Sequence, residues 1–279
     1  MILFIVNPIS GYGNKTGIVS RLKKEDCRVV YTEYAGHAEI LAREAAEDVV
    51  VAVGGDGTVN EVARGLIGTG KTLGIIPRGS GDGLALHLGL THDLNRCLRI
   101  IENGKTQYLD AGTINGRYFF SVCGVGLDAI VSERFAKSGK RGLTNYIDQA
   151  IHTWKDHESQ KFELVVDGVR FEHDAVMVTI GNSDRWGHGA RVTPLADSSD
   201  GILDITVVED FKDIDIPLLA LRLVSGTVNM APNIYCYKGK EIAIKRENPG
   251  PAHADGDWFE AGEKLEIGIV EHALKVIVP

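Results

Sequence analysis

The sequence predicts an open parallel α/β domain followed by an antiparallel β-sandwich domain, and three observations lead there. Short β-branched runs at 2–6, 27–32, 49–53 and 73–76 alternate with helical stretches, the habit of a parallel sheet. The third and fourth of these runs each end in a glycine-rich turn, Gly54-Gly55-Asp56-Gly57 and Gly79-Ser80-Gly81-Asp82-Gly83. Beyond Thr113 the period changes to strand-like runs punctuated by Asn115-Gly116 and Asp167-Gly168, which are hairpin turn signals.

The chain has 279 residues, enough for one large domain or two of ordinary size. A net charge of −8 argues against a nucleic-acid surface and gives no general pull toward anionic membranes. The apolar start Ile2 to Val6 lacks basic residues before it and runs into Asn7-Pro8, so it reads as a first strand and not as a signal peptide. No apolar run approaches the length of a membrane span. Cys27, Cys97, Cys123 and Cys236 are scattered without metal-ligand or disulfide spacing, which makes a reducing cytoplasm the expectation.

Within the first domain, Ile2–Val6 is followed by the polar turn Asn7-Pro8-Ile9-Ser10-Gly11-Tyr12-Gly13-Asn14-Lys15. Asn7, Ser10 and Gly11 can donate to phosphate oxygens there and Lys15 can neutralise them; the segment also reads as an ordinary βα loop. Glu39 to Glu47 and His92 to Asn103 read as helices, the second closed by Gly104. Val49–Val53 reads as a buried strand, and Gly54, Gly55 and Gly57 remove Cβ atoms from the turn after it. Thr58 and Glu61 have capping-box spacing ahead of an apolar face formed by Val59, Val62, Ala63 and Leu66. Strand, glycine turn and helix N-terminus together suit a phosphate. The spacing is neither that of a dinucleotide fold nor that of a P-loop, and a tight turn built on Asp56 is the plain alternative.

Residues 113–270 read as the sandwich, with a helical insertion near 145–156; the boundary lies near 110–112, and 274–278 is a candidate to return to the first domain. Three places there carry more polar chemistry than a sandwich needs. Gly124-Val125-Gly126-Leu127-Asp128 precedes Arg134, Lys137, Lys140 and Arg141, a set that can close over phosphates or simply form a solvated helix face. Asp197 and Asp200 flank a turn able to hold Mg²⁺ or Ca²⁺, though such turns are common without metal. Asp255-Gly256-Asp257 pairs two carboxylates beside Trp258, suited to metal binding or base work, or to a plain hairpin. The nine histidines are dispersed and support no Ser-His-Asp hydrolase.

Taken in order, Asn7-Pro8 with Ser10-Gly11, Thr32-Glu33, Gly54-Gly55-Asp56-Gly57-Thr58, Pro77 with Gly79-Ser80-Gly81, Gly126 with Asp128, Asp200-Gly201 and Asp255-Gly256 resemble the diacylglycerol kinase, sphingosine kinase and ceramide kinase family of lipid kinases, bacterial members included. The resemblance spans nearly the whole chain. It implies an N-terminal domain like that of NAD kinases and phosphofructokinases at 1–112, to which 271–279 would return, and a lipid-substrate sandwich at 113–270. It implies an ATP- and Mg²⁺-dependent kinase acting on a hydroxyl of a diacylglycerol or sphingoid-type lipid. Asn7, Ser10, Gly11, Thr32, Gly54, Gly55, Asp56, Gly57, Thr58, Gly79 and Ser80 would hold ATP. Asp56 would act through Mg²⁺ or as a catalytic carboxylate, and Asp255 or Asp257 would be the base. Asp128 would bind substrate, while Asp197, Asp200 and the carbonyl of Ile202 would hold a structural metal.

Two positions depart from the family pattern: Asp257 stands where Glu is usual, and Asp82 where Asn is usual. The implied protein is cytoplasmic, meets its lipid at a membrane surface, binds no nucleic acid, and leaves a homodimer open. An NAD kinase-like enzyme and a non-catalytic nucleotide-binding regulator are the alternatives.

Overall fold

The structure is a computed structural model and describes residues 1–10, 27–139, 149–150, 152–154, 158–186 and 189–279. Gly11 and Lys15, Lys140 and Arg141, and the remainder of the 145–156 insertion lie outside the described residues. The chain divides into two units, Met1–Asp110 with Glu271–Pro279, and Ala111–Val270.

In the first unit, β1 (Ile2–Val6), β2 (Cys27–Tyr31), β3 (Val49–Gly54) and β4 (Thr72–Pro77) form a parallel sheet in the order β2-β1-β3-β4. The register sets Val6 against Val53 and Gly54 against Pro77, so the strands end level. The ladder continues past those ends: Asn7 N donates to Val53 O at 3.1 Å, Thr32 N to Val6 O at 3.0 Å, and Arg78 N to Gly54 O at 2.7 Å. The loops after all four strands therefore leave from one sheet edge, where open α/β folds bind ligands. Phe4, Val6, Val51, Val53 and Ile76 pack on one face of the sheet with Cys97 and Ile101.

Helices α1 (His37–Arg43), α2 (Asp56–Leu66), α3 (Gly83–His87) and α4 (Leu94–Asn103) complete this unit. The expected capping box at Thr58 and Glu61 is not what forms. Gly55 is the N-cap of α2, which makes Thr58 its third residue. Thr58 Oγ1 accepts instead from Asn7 Nδ2 at 3.0 Å, and Glu61 caps the neighbouring helix, accepting from Gly36 N at 2.9 Å and Ala38 N at 3.1 Å. A turn without Cβ atoms lets the helix start at once, so both side chains are released for longer-range work. Helix α1 ends at Arg43, short of the expected Glu47, whose buried carboxylate pairs with Arg28 at 2.7 Å. Helix α4 starts two residues later than expected because Asp93 caps it through Asn95 N and Arg96 N.

Strand β5 (Lys105–Ile114) begins in the first unit and ends in the second, where it and β6 (Arg117–Phe119) meet at Asn115-Gly116. Strand β7 (Val122–Gly126) leads into α5 (Leu127–Lys137), and β8 (Gln160–Val166) and β9 (Val169–Gly181) meet at Asp167-Gly168. Both turns have positive φ at both residues, 48° and 77° in the first and 47° and 85° in the second, as a type I′ hairpin requires. There follow β10 (Leu203–Glu209), α6 (Ile216–Ser225), β11 (Ile234–Gly239), β12 (Glu241–Arg246), β13 (Gly250–Ala254), β14 (Asp257–Ala261) and β15 (Lys264–Val278).

Antiparallel pairing runs β14-β13-β7-β9, with β9 also joined to β8-β12-β15 and to β10-β11. The resulting sandwich is filled by Phe119, Phe162, Leu164, Ile205, Val207 and Leu265 among others. A second cluster gathers Leu127 and Val131 of α5 with Leu219 of α6, Phe211 and Ile234. The end of β15 belongs to the first unit, where Lys275 and Val276 pair in parallel with Thr72 and Leu73 of β4. Among the described residues no helix is long and apolar enough to cross a membrane.

Candidate active site

At the edge of the first unit's sheet, the two glycine turns touch. A Cβ added to Gly79 would stand 2.7 Å from Gly55 Cα, and one added to Gly55 would stand 3.0 Å from Gly79 Cα. Only two glycines allow backbones this close. Asp56 fastens the contact: its Oδ1 accepts from Gly83 N at 2.7 Å and its Oδ2 from Asp82 N at 2.8 Å, so the first turn caps the helix that begins in the second. Asp82 adopts left-handed backbone with φ 49°, which a short polar side chain tolerates. It accepts from Gly79 N at 3.0 Å and meets His92 Nε2 at 2.8 Å. Burial, then the neighbouring charge of Asp56, raise the Asp82 carboxyl above its ordinary range, while His92 opposes them.

A Cβ on Gly57 would meet nothing within 4 Å, so the space over the first turn of the eleven-residue α2 is open. Asn7, Thr32, Ser10, Gly54 and Thr58 surround the same edge, with Asn7 held by Thr58 and Ser10 Oγ donating to Asn7 O at 3.4 Å. Ser80 lies exposed in the second turn. A helix N-terminus opening from a turn without Cβ atoms is an arrangement that can receive an anion.

In the second unit, the turn between β13 and β14 is Asp255-Gly256, with φ 51° and 84°. The two carboxylates of Asp255-Gly256-Asp257 have separate fates. Asp255 accepts from Phe120 N and Ser121 N, each at 2.8 Å, and from Val122 N at 3.0 Å, so it ties the hairpin to the start of β7. Burial pushes its carboxyl up to about 6 against these three donors, with Asp257 adding a smaller push. Asp257 opens β14 and is exposed.

Below the turn lies His253, 2% exposed, whose Nδ1 accepts from Gly256 N at 3.3 Å. That bond leaves the ring proton on Nε2, which lies 3.2 Å from Asp128 Oδ2. Asp128, itself 3% exposed, also accepts from Thr179 Oγ1 at 2.5 Å and Ala129 N at 2.8 Å. A Cβ on Gly124 would fall 2.2 Å from Asp128 Oδ2, which explains the glycine there.

Residues 1–114 match the model of the diacylglycerol kinase catalytic domain, and residues 121–278 match that of the YegS C-terminal NAD kinase beta sandwich-like domain. The chain belongs to the diacylglycerol kinase family. A diacylglycerol kinase of Mycobacterium tuberculosis is 30% identical over 293 residues, covering 99% of this chain and 94% of that protein. Another from Bacillus subtilis is 25% identical over 235 residues, covering 81% of this chain and 78% of its own length. Among solved structures, a diacylglycerol kinase from Bacillus anthracis superposes with a TM-score of 0.79 at 22% identity, covering 100% of this chain and 96% of that one. An NAD kinase from Archaeoglobus fulgidus in complex with ATP shares the fold at a TM-score of 0.58 and 12% identity, covering 99% and 93%. The protein is a kinase.

For a diacylglycerol kinase family member, the remaining sequence-derived residues are distributed as follows. Asp197 and Asp200 sit on an exposed loop, where Asp197 Oδ1 accepts from Ser199 N at 3.0 Å and Ser199 Oγ at 2.7 Å, and Asp200 Oδ1 from Ile202 N at 3.0 Å. Among the described residues no three His, Cys, Asp or Glu side chains converge as a metal site. In the basic set, Arg134 donates to Thr153 Oγ1 at 3.2 Å; Lys137 pairs with Glu133 at 2.5 Å and lies 4.9 Å over the Trp258 ring. Sequence reasoning passed over His253, Thr179 and His92. The available signal for His253 was its place two residues before an Asp-Gly turn, on the inward face of a strand.

Two outcomes follow from these contacts. Gly79→Ala forces the two turns apart by several tenths of an ångström. Kinase activity should fall by about a hundredfold, the usual consequence of misplacing reacting groups by an ångström. The thermal midpoint, read by melting, should show only the roughly 1–3 kcal/mol cost of overpacking. For Asp255, the folded carboxyl titrates above its unfolded value of about 3.9. Its contribution is fully present below that value and is lost as pH rises toward about 6. Denaturant unfolding of wild type and Asp255→Asn from pH 4 to 7 should show this loss in the wild type, on the order of 2–3 kcal/mol, and a flatter profile in the variant. Parallel profiles would contradict it.

Proposed function

We propose that this kinase transfers the terminal phosphoryl group of ATP, with Mg²⁺, to a hydroxyl of a diacylglycerol or sphingoid-type lipid at a membrane surface, working from the cytoplasm. The observation that carries the reading is the Gly55–Gly79 contact fastened by Asp56, which leaves the space over the N-terminus of α2 open to an anion. Asn7, Ser10, Thr32, the Gly54–Thr58 turn, Gly79 and Ser80 hold the nucleotide; Gly11 would extend the set.

The second unit contributes the acceptor side. Asp255 is committed to three backbone amides, whereas Asp257 is exposed on a turn that Asp255 and His253 hold rigid. Asp257 is therefore the general base, taking the proton from the lipid hydroxyl as its oxygen attacks phosphorus in line with the leaving ADP oxygen. Positioning provides most of the rate in such a transfer. Asp128 serves the substrate indirectly, through His253 and the turn.

Mg²⁺ supplies charge neutralisation for the triphosphate. Asp56 would share in holding it, as a hard carboxylate donor fixed at the turn by its bonds to Asp82 N and Gly83 N. Asp197, Asp200 and the Ile202 carbonyl offer the hard oxygen donors of a separate structural site, which water would have to complete.

An ATP-consumption assay with dioleoylglycerol, sphinganine and NAD as acceptors tests the proposal. Lipid should be phosphorylated and NAD left untouched. Asp257→Asn should lower kcat by about 10²–10⁴-fold, the range for a general base, with an unchanged melting midpoint. Asp257→Glu should stay active. NAD phosphorylation, or full activity in Asp257→Asn, would overturn the reading.

A further inference from the structure

Helix α6 has a face that nothing among the described residues covers. Leu219 is buried in the cluster with Phe211 and Ile234, and Leu223 packs half-buried against it. On the other side, Leu218 is 51% exposed, Leu221 63% and Val224 69%, and Ile214 in the preceding turn is 83% exposed. Their spacing of four, three and three residues puts all four along one face. Pro217 and Ala220 are also exposed, and from Ile216 to Ser225 the helix carries no acidic residue and one cation, Arg222. A helix that is apolar nearly all round belongs in a core or against an apolar phase.

We infer that the exposed face of α6 is a membrane-docking surface that inserts shallowly into a bilayer. This rests on the reading that the acceptor is a lipid. The area favours a bilayer over a second copy of the chain. Ten residues make a helix about 15 Å long and about 10 Å wide, a footprint of roughly 150 Å². A stable protein interface needs about 800 Å² per partner. An interfacial helix has no such threshold, because its binding scales with the apolar area it inserts.

Connection to the acceptor side points the same way. Helix α5 packs on β13 and β14, the strands that carry the Asp257 turn, and it shares the apolar cluster with Leu219 of α6. At its end Lys137 lies 4.9 Å over the ring of Trp258, next to Asp257. Tryptophan and lysine are the side chains that settle at bilayer interfaces. Since the chain carries a net charge of −8, insertion and not attraction to anionic lipid supplies the binding, so neutral bilayers suffice.

The test uses the full chain and the double variant Leu218→Gln, Leu221→Gln, which changes only exposed positions. Cosedimentation with phosphatidylcholine vesicles carrying dioleoylglycerol should show wild-type binding that added phosphatidylglycerol does not strengthen. The double variant should bind about tenfold more weakly or worse, as expected from withholding two leucines from an apolar phase. Turnover on vesicle dioleoylglycerol should fall in parallel, while turnover on dispersed dihexanoylglycerol stays at the wild-type rate. Equal vesicle binding by the two proteins would overturn the inference, as would a wild-type dimer, seen by light scattering, that the variant dissociates. Wild-type inactivity on both lipids would instead refute the lipid-acceptor reading, and the sedimentation result would still judge the helix.

Discussion

The close approach of Gly55 to Gly79 is the constraint from which the first unit's chemistry follows. Two loops from adjacent parallel strands meet with no side chain between them, and a single carboxylate, Asp56, bonds to the amides of the loop opposite. Those bonds come at an electrostatic cost, since Asp56 and the buried Asp82 carry like charges and Asp82 is pushed toward its neutral form. His92 and the amide of Gly79 offset part of it. The result is an edge in which the amides of Gly79, Asp82 and Gly83 are held by carboxylates while the space over Gly57, at the start of α2, stays open.

The second unit uses buried carboxylates in a similar way. Asp255 and Asp128 are both enclosed by donors, and each immobilises backbone: Asp255 the entry to β7, Asp128 the histidine beneath the hairpin. Three amides hold the Asp255 carboxylate in one orientation and take up three of its about four lone-pair sites. The neighbouring Asp257 is exposed two residues on, so one turn carries an anchored carboxylate and a solvent-facing one.

Much of this was legible in the sequence because it rests on local rules. Asn115-Gly116 and Asp167-Gly168 marked hairpins through their need for positive φ, and the missing Cβ atoms of Gly55 and Gly79 marked turns that approach closely at the sheet edge. The diacylglycerol kinase resemblance was carried by motifs spread along the chain, and the comparisons bear it out. What escaped were partnerships between distant segments. Asp255 and the amides it holds are 133 to 135 residues apart, and Glu61 left its expected capping box to cap a helix 23 to 25 residues upstream. The exposure of α6 was also invisible, since an apolar run reads the same whether its outer face is covered or bare.

The central claim is that the two glycine turns together form the nucleotide's phosphate cradle. Amide chemical shifts of isotopically labelled protein, followed through a titration with ATP, address it directly. The account predicts that the largest perturbations fall on the backbone amides of Gly55, Gly57 and Thr58 at the start of α2, with smaller ones at Gly79 and Gly83, whose amides donate to Asp82 and Asp56. Saturable ATP binding that leaves the amides of Gly55, Gly57 and Thr58 unmoved would contradict it.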